Sequence, residues 1–85
     1  MYKPVNMYVV TFHTMKGGMR CWVINLEAHN QKEARKQLEE AWELHDSTGA
    51  HMFRIKIRRL KDNEEYLYNW FKRIDRDQYY KLNEA

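Results

Sequence analysis

A chain of 85 residues has room for one hydrophobic core and none for a second, which excludes a multidomain enzyme. A composition of 44% hydrophobic, 32% charged and 14% aromatic residues excludes disorder throughout, and the apolar runs are too short for a helix that crosses a bilayer. The formal charge of +3 tolerates a polyanionic partner without requiring one, and a single cysteine, Cys21, excludes an internal disulfide. The N-terminus lacks a signal-peptide pattern, so the reading is a cytoplasmic protein with no membrane contact.

In chain order, "MYVVTFHTM" and "MRCWVINLE" are rich in β-branched and aromatic residues and flank Lys16-Gly17-Gly18, so they predict a β-hairpin. A two-residue loop would pair Phe12 with Val23 and leave both faces mixed. A three-residue loop with Gly18 in a left-handed position instead pairs Phe12 with Trp22, Val10 with Ile24 and Tyr8 with Leu26, giving one wholly apolar face. The second register is preferred, because burying one consistent face is what specifies strand pairing.

Asn30 with Glu33 three residues on forms a capping box, and Ala34, Leu38, Ala41, Trp42 and His45 make one helical stripe. The helix ends at "DSTG", with Gly49 suited to a left-handed stop and His45 placed as a cation at the negative end of the helix dipole. The next stretch, "FRIKIRRLKD", alternates: Phe53, Ile55 and Ile57 point one way, Arg54, Lys56 and Arg58 the other. Beyond it, Asp62 with Glu65 reads as a second capping box, and Leu67, Trp70, Phe71 and Ile74 at i, i+3, i+4 and i+7 predict a second helix to about Arg76. The expected organisation is a single α+β domain over residues 1–76, with residues 77–85 as a tail docking through Tyr79, Tyr80 and Leu82. Its order is β-β-α-β-α: a three-stranded antiparallel sheet ordered 2-1-3, two helices on one face, and an open second face showing Val9, Thr11, His13, Cys21 and Val23 beside Arg54, Lys56 and Arg58.

Five of the eight residues from Arg54 to Lys61 are basic: Arg54, Lys56, Arg58, Arg59 and Lys61. On a strand, alternate side chains stand about 7 Å apart, near the backbone repeat of an extended single strand of nucleic acid. The same row also serves as a solvated strand face, or as charges that discourage edge-to-edge pairing. Stacking aromatics, the usual companions of such a row, are expected to face the core. His13 opposite Cys21 invites a Cys-His nucleophile or a metal site, yet neither a third orienting group nor a zinc-ligand spacing accompanies it, so no catalytic, metal or cofactor residue is assigned. Tyr66, Tyr68, Tyr79 and Tyr80 lie outside the second helical stripe, which suits either a protein interface or wrapping of the tail.

Over residues 7–61 the capped β-β-α-β pattern, with many Met, Tyr and Lys and a charged aromatic tail, resembles small accessory proteins encoded by phages and mobile elements. That resemblance implies a stoichiometric inhibitor or modulator of a host or defence protein in the host cytoplasm. The expected function is therefore a non-enzymatic protein-binding module, with a protein partner or a second copy of itself. The alternative is a module for single-stranded DNA or RNA that uses the basic third strand.

Overall fold

A computed structural model describes residues 4–64 and 70–84. In chain order it contains β1 (Asn6–Thr14), β2 (Arg20–Ala28), α1 (Gln31–His45), β3 (Phe53–Arg59), β4 (Lys72–Ile74) and α2 (Arg76–Leu82). The strands form one antiparallel sheet ordered β3-β1-β2-β4. The hairpin takes the register expected of an odd loop: Tyr8 faces Leu26, Val10 faces Ile24 and Phe12 faces Trp22. Gly17 and Gly18 both hold positive φ, at 75° and 106°, where a side chain would be strained.

Tyr8, Val10, Phe12, Ile24 and Leu26 form a core with Ala34, Leu38 and Trp42 of α1. The helix begins where Asn30 Oδ1 accepts the Glu33 amide at 2.8 Å. Only this half of the capping box forms, since the Glu33 carboxylate turns to His29 Nδ1 instead. Asp46 organises the exit, its carboxylate accepting from the amides of Thr48 and Ala50. His45 accepts a hydrogen bond at Nδ1 from the indole N–H of Trp70, at 2.8 Å, within a cluster of Trp22, Trp42 and Phe71. An indole can only donate, so His45 Nδ1 is the acceptor of this bond, and the ring closes an aromatic cluster at the end of α1.

Two expectations are corrected. The sheet has four strands rather than three, because the segment read as a helix from Asp62 instead turns at residues 61–64 and pairs residues 72–74 with the free edge of β2. Leu67, Tyr66 and Tyr68 lie outside the described residues. Phe71 joins the α1 core and Ile74 the opposite cluster, a division that a single helical stripe cannot produce. The helices also lie on opposite faces. The expected tail carries α2, whose Tyr79 and Leu82 pack with Val9, Cys21, Val23 and Ile74 on the face that was to stay open. Asp75 caps it, accepting the Gln78 amide at 2.6 Å. The driving force is ordinary: Val9 and Val23 are large apolar side chains on the back of the sheet, and burying each against α2 is favourable by roughly 1.5–3 kcal/mol.

Candidate anion-binding cleft

The alternation of β3 holds from Lys56 onward and fails before it. Lys56 faces Thr11 and Arg58 faces Val9, but the register slips between Thr11 and His13, so His13 faces Phe53 and two residues, Arg54 and Ile55, stand against Phe12. This is a β-bulge. Arg54 occupies its left-handed position with φ at 52°, a conformation ordinarily left to glycine. The slip carries Phe53 away from its expected core position to lie 5.6 Å from the His13 ring. The Tyr79 hydroxyl donates to the Arg54 carbonyl at 3.2 Å and ties the bulge to α2.

Between the bulge, the hairpin and the start of α2 lies a cleft of about 670 Å³, lined by His13, Arg20, Cys21, Arg54, Arg73, Arg76 and Tyr80 among others. A second hollow, of about 630 Å³, shares His13, Arg54 and Tyr80 with it and extends past Lys56 to Asn83. Among the described residues, none of Arg20, Arg54, Arg73 and Arg76 is in ion-pair contact with a carboxylate. Asp75 is the acidic member of the lining, and its carboxylate serves the α2 cap. Tyr80 is 52% exposed, with the Arg76 guanidinium 5.8 Å from its ring centroid.

His13 sits in the lining of both hollows, 3% exposed, with its Nδ1 buried and without a hydrogen-bond partner. Tyr79 packs edge-on against its ring at 4.3 Å. Burial, then the charges of Arg54 and Arg76, hold its pKa below the ordinary 6.5, so it is neutral at neutral pH. Opposite it, burial raises the Cys21 thiol above its ordinary value, which keeps it protonated and a poor nucleophile. Among the described residues no three His, Cys, Asp or Glu side chains gather as a metal site.

The residues singled out in the sequence are dispersed. Arg54 and Lys56 stay exposed; Arg54 borders both hollows and Lys56 the second. Arg58 is drawn into an ion pair with Glu64 at 2.7 Å and also donates from Nε to the Leu82 carbonyl at 2.8 Å, so it acts as a clasp between β3 and the end of α2. Arg59 donates to Asn6 Oδ1 at 2.8 Å, and Lys61 is exposed beyond the strand. Tyr79 is buried at 5% exposure, while Tyr80 faces outward. Arg20, Arg73 and Arg76 were missed, the last two because they fell within the expected helix. Their spacing in the chain carries no signal, since three different elements supply them. No protein-family model, curated protein or solved structure matches this chain. Among the described residues, no helix is long and apolar enough to cross a membrane.

Proposed function

We propose that this protein is a non-enzymatic binding module for single-stranded nucleic acid, working through the paired hollows around Arg54 and Tyr80. The observation that carries the reading is the gathering of Arg20, Arg54, Arg73 and Arg76, none of them ion-paired among the described residues, around one exposed aromatic ring. Like charges held together without counter-ions favour an anionic ligand, and a stacking ring beside them suits a base whose phosphate is being neutralised. The second hollow gives the strand a continuing path toward Lys56.

The test is a titration of short oligo-dT and oligo-rU, followed by fluorescence anisotropy at several salt concentrations. Three to four phosphate contacts predict that log K falls with log salt at a slope of roughly −2 to −3. Lys56→Glu weakens binding and flattens the slope. Absence of binding at low salt, or a slope near zero, defeats the reading.

A second reading, a protein-binding module of the phage-inhibitor kind, is favoured by Leu44, 84% exposed, and Trp70, 49% exposed, large apolar side chains left in solvent. Self-association belongs to it. A solution mass showing a dimer that Leu44→Lys dissolves would support it, and an unchanged monomer would count against self-association.

A further inference from the structure

Resting on the nucleic-acid reading, the geometry supports a narrower assignment. Tracking a diester backbone requires a stripe of cations, each meeting one singly charged phosphate in solvent. The hollow described above has another character at one place. Arg54 and Arg76 come from separate elements, β3 and α2, and both line the cleft that the buried imidazole of His13 also lines. Tyr79 and Phe53 pack against that imidazole, and its Nδ1 is left without a partner in the protein. Arg54 is delivered there by a bulge that a non-glycine residue adopts only at a cost. Two arginines and a buried imidazole with an unsatisfied ring nitrogen, all in the lining of one cleft, suit a ligand with concentrated negative charge and several acceptor oxygens, which describes a phosphate monoester.

We propose that the cleft seats the terminal phosphate monoester of a single strand between Arg54 and Arg76 at His13, with the neighbouring base stacked on Tyr80. The module then binds strand ends in preference to strand interiors. A doubly charged terminal phosphate also favours protonation of His13, opposing the burial and the two arginine charges that otherwise disfavour it. The seat thereby gains a third donor when occupied.

The experiment compares a six-nucleotide oligo-dT bearing a 5′-phosphate, a 3′-phosphate or hydroxyls at both ends, with a phosphoserine peptide as a further arm. One phosphorylated end is expected to bind about tenfold more tightly than the unphosphorylated strand, equivalent to about 1.4 kcal/mol. Arg76→Ala, an exposed position on α2, is expected to weaken all three strands and to reduce the roughly tenfold preference for a phosphorylated end to less than about twofold. Inorganic phosphate titrated into labelled protein should shift the His13 ring resonances before those of His29 or His51. Equal affinity for all three strands overturns the terminal seat and leaves the nucleic-acid reading standing. Binding of none of them overturns both, and binding of the phosphopeptide alone assigns the seat to a different class of partner and overturns this one.

Discussion

Arg54 bears two opposing demands. Its left-handed backbone costs of order 1–3 kcal/mol, and its side chain borders both hollows. Glycine would adopt the same φ without that cost, although it loses roughly 0.5–1 kcal/mol through greater freedom in the unfolded chain. Arg54→Gly is therefore expected to leave the fold intact and raise thermal stability by up to about 1–2 kcal/mol, while weakening oligonucleotide binding. Differential scanning calorimetry with a binding titration checks it, and a variant that is both less stable and equally competent would show that the bulge serves packing alone. The residue itself was legible as a surface cation, but its bulge was not. A left-handed bulge is announced in sequence by glycine, and arginine in an alternating run announces a regular strand.

At the scale of elements, α2 is the decisive piece. Seven residues are too few to hold a helix by themselves, so its stability comes from docking. Tyr79 supplies the largest buried side chain of that contact, and Asn83 extends it by donating from Nδ2 to Thr11 Oγ1 at 2.8 Å. Tyr79→Ala is expected to cost about 3 kcal/mol, in line with other large-to-small aromatic replacements, and to release α2 from the sheet. A urea titration gives the first quantity, and faster hydrogen exchange at Val9 and Val23 amides reports the second. A cost below about 0.5 kcal/mol would mean that the segment is only loosely held against the sheet. The sequence did mark Tyr79, Tyr80 and Leu82 as docking groups. It did not show which partner they dock on, because the hydrophobic spacing of residues 67–74 fits a helix equally well as an isolated pattern.

For the molecule as a whole, the clasp of Arg58 with Glu64 and Leu82 joins the third strand, the turn after it and the last helix. Hydrogen bonds from Arg58, outweighing partial burial, lower the Glu64 pKa from its ordinary 4.5 to about 2. A carboxylate whose folded pKa lies below its unfolded one stabilises the fold above the unfolded value. That contribution is present at neutral pH and disappears as pH falls from about 4.5 toward 2. Glu64→Gln should cost about 1–2 kcal/mol at pH 7 and flatten the stability profile across that acid range, as chemical denaturation at stepped pH would reveal. An unchanged profile would mean that the ion pair is solvated and contributes nothing.

The strand pairing of the hairpin, the start of α1 at Asn30 and the inward faces of both were decided by the sequence alone. Each depends on residues close together in the chain, where the period of the side chains and the demands of a turn leave one arrangement with a buried apolar face. The fate of residues 70–82 was decided by the tertiary structure. The β1–β2 hairpin by itself leaves an edge of β2 unpaired and valines on the back of the sheet uncovered, and residues 70–82 meet both needs by pairing as β4 and packing as α2. The cationic cleft exists only after that docking, since its arginines come from β2, β3, β4 and α2 and become neighbours when the last helix closes over the sheet.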